Sequence, residues 1–319
     1  MSSRPFVIVP ALCAIAVAYN QPKLIADQVL PRVPVDTESF RYLKYSLEDA
    51  FQMPDDLVGR KSAPNQIDWG SSELTASVQD HGLDTPVPNS DVMAFQMALA
   101  ANPNSVSQTD PLGRATRLVT QTVQNRREYR AANLVFNANS YGANNKTTLA
   151  GVSQWSDFVN SDPLVAIMGY LDSMVVRPNV GVLGRATATK LRMHPKICKA
   201  VYGNNTDAGV APLQAIADIL ELDEILVGDG WVNTAAPGQA AVLGRCWGKH
   251  AAFMVRNKEA DTKGGVSFGF TAQWGDKVAG TLEDGDVGLR GGTRVRSGES
   301  VVELITANDL GYFVQNAVA

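Results

Sequence analysis

Gly265-Val266-Ser267-Phe268-Gly269 matches the G-x-S-x-G pattern, in which a serine on a tight strand-to-helix turn becomes a nucleophile. That chemistry needs a histidine base placed after the serine in chain order. All three histidines, His81, His194 and His250, precede Ser267, and Val266, Phe268 and Phe270 alternate as in a strand. Edge-strand glycines account for the pattern, and a serine hydrolase at Ser267 stands as the enzymatic alternative. Gly244-Arg-Cys-Trp-Gly248-Lys249-His250 lacks both the spacing of a phosphate loop and the Ser or Thr after its lysine, so it reads as a β-turn. Cys246, between Arg245 and Lys249, would be a reactive thiolate if exposed. No pair of His or Cys residues has metal-ligand spacing. The expectation is a non-enzyme with no catalytic residue, no metal ligand and no cofactor.

The stronger signal is the sorting of charge. From Ser62 to Gly113 there are six acids (Asp68, Glu73, Asp80, Asp84, Asp91, Asp110) and no Lys or Arg. Arg114, Arg117, Arg126, Arg127 and Arg130 follow within seventeen residues. Residues 173–206 hold six Lys or Arg and no acid, and residues 207–244 hold six acids and no Lys or Arg. Charges sorted into blocks need a partner segment elsewhere, in the same fold or on another copy of the chain.

The elements that must carry these charges follow from pattern. Prolines at 22, 31, 34, 54 and 64 keep residues 20–64 extended, with aromatic and β-branched residues between them. Residues 66–78 read as a long hairpin with a polar tip at Gly70-Ser71-Ser72, closed by the turn chemistry of residues 81–88. A short helix is predicted over 91–101. Asp110-Pro111 then opens a long helix to about Phe136, with an acidic cap and proline at the first helical position. Leu112, Ala115, Leu118, Val119, Val123 and Tyr129 form its apolar face, with Arg114 and Arg117 opposite. Ser161-Asp162-Pro163 repeats the start signal. An α/β region follows, with strands at 180–183 and 225–228 and helices at 185–194 and 212–222. The last third reads as strands at 252–255, 266–274, 293–296, 300–305 and 311–318.

The chain has 319 residues, 45% of them hydrophobic, enough for a core in more than one lobe. A net charge of −4 does not suggest a dedicated nucleic-acid-binding protein. Three widely spaced cysteines favour a reducing compartment over a disulfide framework. Arg4 and the apolar run 6–18 mimic a secretory signal, but Pro10 interrupts the run.

An ordered series of short motifs spans nearly the whole chain. It includes Ile15-Ala-Val-Ala-Tyr19, Val29-Leu-Pro-Arg-Val-Pro34, Val58-Gly-Arg-Lys-Ser62 and Asp80-His-Gly-Leu83. Arg127-Glu128, Phe136-Asn-Ala138, Gln154-Trp-Ser-Asp157, Ser161-Asp-Pro-Leu164, His194-Pro195, Asn233-Thr-Ala235 and Trp247-Gly248 continue it. In this series the chain resembles the major capsid proteins of tailed double-stranded DNA bacteriophages, which share the HK97-like capsid fold.

The resemblance implies an α+β fold with an N-terminal arm (1–60), an E-loop hairpin (61–89) and a peripheral domain (90–175) with a spine helix at 111–137. An α/β axial domain (176–290) and C-terminal strands returning to the peripheral domain (291–319) complete it. The implied function is a structural subunit that forms pentamers and hexamers of an icosahedral phage head enclosing double-stranded DNA, with no membrane partner. A separate scaffold protein, a portal and a decoration protein are the further partners, and the virion, assembled in the host cytoplasm, is the location. The expected inter-subunit contact sets Asp68, Trp69, Glu73, Leu74, Asp80 and Asp84 of one copy over Arg114, Arg117 and Arg127 of the next. Two further functions compete with the phage head: an encapsulin-type compartment of the same fold, and an exported surface protein.

Overall fold

The computed structural model describes residues 6–18, 24–44, 53, 55–64, 66, 72–101, 110–203, 208–236, 238–262 and 264–319. Two five-stranded sheets organise the chain, and a 25-residue helix, α4 (Pro111–Val135), packs against strands of the first and joins the core of the second.

The first sheet is built on two long antiparallel strands, β12 (Gly269–Asp284) and β13 (Gly292–Ile305). β13 pairs on its other side with β5 (Gln79–Pro88). β12 pairs with β1 (Val7–Ile8) antiparallel and with β2 (Arg32–Val35) parallel. Between these two partners β12 shifts register, after Trp274, and the sheet can accept the early chain twice. The apolar run that mimics a signal peptide is helix α1 (Pro10–Ala18), whose Leu12 and Ala16 are buried against Ala115, Ala279 and Val295.

A separate two-stranded hairpin joins β3 (Ser39–Lys44) to β4 (Ser72–Ser77), and residues 67–71 of the local hairpin expected over 66–78 lie outside the described residues. Matching alternation explains the pairing: Phe40 faces Ala76 across the ladder, and Phe40, Tyr42 and Val78 bury together with Val33 and Phe270. Residues 72–77 thus belong to this hairpin and residues 79–88 to the first sheet. Helix α3 (Asn89–Ala101) follows β5 and buries none of its side chains.

The second sheet has the order β6 (Lys146–Thr148), β14 (Gly311–Gln315), β11 (Ala251–Met254), β7 (Val180–Gly184), β8 (Glu224–Gly228). β7 and β8 are parallel. Helices α6 (Arg185–Arg192), α7 (Pro195–Tyr202) and α8 (Leu213–Leu220) lie between them in sequence. Every residue of β7 and β11 is buried, as expected where both faces of a sheet are covered. Leu183 and Phe253 face α5 (Pro163–Asp172), α6 and α8, while Val180, Val182 and Met254 face Trp247, Phe313 and the end of α4. β12 lies in the first sheet, and β14 lies in the second. Phe313 and Val314 are fully buried there, a stronger constraint than chain order. The helix expected at 185–194 ends at Arg192, because His194-Pro195 starts the next one.

Helix α4 begins as the sequence dictates, with the Asp110 carboxylate accepting from the Leu112 and Gly113 amides. Its buried face is more polar than expected. Thr116, Thr120, Arg127 and Glu128 are buried, and Leu118 is 54% exposed. The Glu128 carboxylate accepts from the backbone amides of Ile25 (3.0 Å) and Ala26 (2.8 Å) and from the Trp247 indole (2.5 Å). Arg127 pairs with Asp27 and donates to the Thr271 hydroxyl. Asp27 also pairs with Arg32 (2.7 Å), and Arg32 with Glu299 (2.8 Å). From the second sheet, Arg256 donates to the Gln28 carbonyl and pairs with Glu224. Residues 24–35, including the short helix α2 (Ala26–Val29), are thus strapped to α4 and to both sheets.

Burial pushes the Asp27 carboxyl up, but Arg127 and Arg32 together more than offset this and hold it below the ordinary 3.8. Burial pushes Glu128 above the ordinary 4.5, opposed by its three N–H donors and Arg127. The two carboxyls carry opposite signs in linkage. The Asp27 contribution is complete above pH 3.8 and is lost as pH falls through its depressed folded value. Proton binding by Glu128 favours the folded chain, in full below pH 4.5, and that contribution is lost as pH rises through its raised folded value. The stability advantage of wild type over Asp27→Asn, from denaturant unfolding of the unassembled chain, should therefore vanish on acidification. An advantage that is unchanged down to about pH 2 contradicts the pairing. Glu128→Ala should cost about 3 kcal/mol or more, since three buried donors lose their acceptor at about 1–3 kcal/mol each. A loss under about 0.5 kcal/mol, typical of surface substitutions, contradicts the strap.

Candidate inter-subunit contact surface

The sorted charges resolve into two groups. Arg127 and Arg130 serve the chain itself, Arg130 through a two-pronged contact with Glu303 at 3.1 and 3.3 Å. Arg114, Arg117 and Arg126 are exposed, and among the described residues none of the three has a partner. Glu128 is the single acid of α4 and is buried, so the exposed face of the helix carries only positive charge. Arg127 therefore leaves the expected contact set, because it is buried beneath residues 24–35.

Most of the acids are likewise engaged at home. Asp84 holds Arg296 through two hydrogen bonds of 2.7 and 2.8 Å, and these bonds lower its carboxyl below the usual value. Asp80 accepts from the Ser300 hydroxyl. Both acids lie on β5 beside β13, which places them in the first sheet and off the hairpin. Glu73 pairs with Arg41 across the β3–β4 ladder at 3.1 Å, with both side chains largely exposed. Leu74 is exposed opposite Tyr42. Asp68 and Trp69 lie outside the described residues. Beyond the paired strands, Met53 and Leu57 are 97% and 82% exposed, apolar side chains with Asp55 and Asp56 close by in sequence.

The candidates for chemistry have structural tasks. Ser267 is buried at the entrance to β12, where its hydroxyl accepts from the Asn257 amide and donates to the Gly269 carbonyl. A serine–histidine pair that sequence reading missed does exist, Ser161 Oγ to His194 Nε2 at 3.0 Å. Its wiring runs against nucleophile activation. His194 Nδ1 accepts from the Lys196 amide as the cap of α7, so Nε2 carries the proton and donates to Ser161, which donates to the Asp157 carbonyl. His194 is fully buried, and this desolvation lowers its basicity. Burial and the nearby Glu128 push the Cys246 thiol up to about 11, so it is not the thiolate that its basic neighbours suggested. Among the described residues no three His, Cys, Asp or Glu side chains cluster as metal ligands. No described helix is long and apolar enough to cross a membrane.

No protein-family model matches the sequence. A major capsid protein of Pseudomonas phage JBD67 is 51% identical over 319 residues, covering the whole of both chains. A crystal structure of a phage-related protein from Bordetella bronchiseptica RB50 superposes with a TM-score of 0.72 at 21% identity, over 98% of each chain. The mature capsid of bacteriophage PhiM1 superposes with a TM-score of 0.54 at 11% identity, over 93% of this chain and 87% of that one. Two mixed sheets, a long helix packed on both and a separate two-stranded hairpin are thus an HK97-like architecture, and the chain belongs to the major capsid proteins of bacteriophages, structural subunits of a capsid shell.

Proposed function

We propose that copies of this protein join as pentamers and hexamers into an icosahedral phage head around double-stranded DNA. Full-length identity of 51% with a phage major capsid protein carries this reading. In it, residues up to 35 form the arm, the β3–β4 hairpin is the E-loop, and the first sheet with α3 and α4 is the peripheral domain. The second sheet with α5 to α8 is the axial domain. Assembly takes place in the cytoplasm of the bacterial host, with a separate scaffold protein, a portal and a decoration protein as partners, and the shell touches DNA without sequence preference.

The contact we favour sets the hairpin of one copy over Arg114 and Arg117 of α4 in the next. Asp68 and Glu73 supply its charge, and Trp69 and Leu74 its apolar anchor. Glu73 can exchange Arg41 for a neighbour's arginine at little cost, because both partners stand in solvent. One exposed ion pair contributes about 0.2–1 kcal/mol, so charge sets register while repetition over many copies supplies stability.

Replacing Arg114 and Arg117 together by Glu should leave the melting of the unassembled chain unchanged. It should lower the yield of closed particles in negative-stain images by about tenfold, the effect of some 1.4 kcal/mol per contact before repetition multiplies it. A normal yield of closed shells from the double variant contradicts the contact.

A further inference from the structure

A second exposed feature of α4 lies towards its middle, where the helix meets the hairpin of β9 (Trp231–Asn233) and β10 (Leu243–Arg245). Together they frame a groove of about 450 Å³ lined by Asn125, Arg126, Tyr129, Trp231 and Asn233, among others. This volume falls within the range of about 300–1,000 Å³ usual for sites that take small ligands. Nothing in the strap or the shell contact uses these residues.

Each wall has a recognisable chemistry. Trp231 is 52% exposed, unusual for the largest side chain in a chain with ample core. Its cross-strand partner Arg245 stacks on the ring at 4.5 Å and is held there by Asp229 at 2.7 Å. Arg245 does not line the groove, so it backs one face of the indole and leaves the ring presented to the other side. Asn233 has its carbonyl oxygen engaged by the Ala235 and Val242 amides, which leaves its NH2 group as a donor. Arg126 has no partner among the described residues, on a helix face without an acid. A flat aromatic wall, amide donors and one unpaired guanidinium together match a planar ring attached to an anion. An acidic peptide would satisfy the arginine and leave the aromatic wall unused.

We propose that this groove binds single-stranded nucleic acid, with one base stacked on Trp231 beside Tyr129 and the adjoining phosphate on Arg126. The base is held by its π-face and by amide donors, so the site discriminates little among sequences. Base pairs in an intact duplex are already stacked, so the site favours unpaired strands.

Binding of a labelled oligothymidylate to the purified full-length, unassembled chain, read by fluorescence anisotropy and tryptophan quenching, tests the proposal. Its duplex and a poly-glutamate peptide of equal charge serve as competitors. Wild type is expected to bind the single strand with quenching. Trp231→Leu and Arg126→Gln should each weaken binding by about tenfold or more, and Trp231→Phe should restore most of it. Circular dichroism and melting confirm that the variants fold. Absence of binding, equal affinity of the variants, or equal competition by the duplex or the peptide would overturn the proposal. So would a particle structure in which a neighbouring copy fills the groove.

Discussion

Arg127 and Glu128 stand side by side on α4, and the position of nearly everything else depends on them. Successive residues on a helix point about 100° apart, so one dipeptide can grip two directions. Arg127 takes Asp27 and Thr271, which fixes the early chain to the first sheet. Glu128 takes the amides that open α2 and the indole of Trp247, which fixes the same segment to the second sheet. Charges buried at this depth are costly unless they are paired and hydrogen-bonded, as Arg127 is by Asp27 and Glu128 by its three donors. Using them requires that residues 24–35, the helix and both sheets be in place together. A segment that could not hold a fold alone becomes a tie between two layers.

The same helix separates inward from outward charge. Arg127 and Arg130 are spent on the fold, whereas Arg114, Arg117 and Arg126 face out with no described partner. Exposed arginines on a face without acids, next to a helix that buries nothing, have little to do within one copy of the chain. In the proposed shell contact, Arg114 and Arg117 on this face are the address for the next subunit. The hairpin is the matching element in that proposal, since among the described residues its strands pair with each other and with no other strand.

How much of this is legible in the sequence depends on whether a signal is local. Asp110-Pro111, Asp162-Pro163 and the apolar runs at 180–184 and 224–228 have local causes, and each lies within a residue or so of its expected place. Pairing at a distance is not legible. The partner of residues 72–77 is residues 39–44, well upstream in the chain, and nothing near Gly70 announces it. Pattern suggests two strands where β13 is one, because Gly298 looks like a break. It is held flat against Gly82, where a Cβ would crowd the His81 carbonyl at 2.8 Å. The acid-rich block misleads for a similar reason, since Asp80 and Asp84 find Ser300 and Arg296 across more than two hundred residues. Of the site itself, pattern identifies Arg114 and Arg117 as an outward pair but does not reveal that Arg127, ten residues on, is buried. The groove at Trp231 leaves no signal, because its walls come from segments about a hundred residues apart.

The central claim is that the hairpin of one copy lies on the arginine-bearing face of α4 in the next. A cryo-electron microscopy map of the assembled particle, at a resolution that shows side chains, tests it most directly. The account predicts density for the β3–β4 hairpin across the neighbour's α4, with Asp68 or Glu73 within ion-pair distance of Arg114 or Arg117. A map in which those arginines face open solvent, or meet only residues of their own chain, would contradict it.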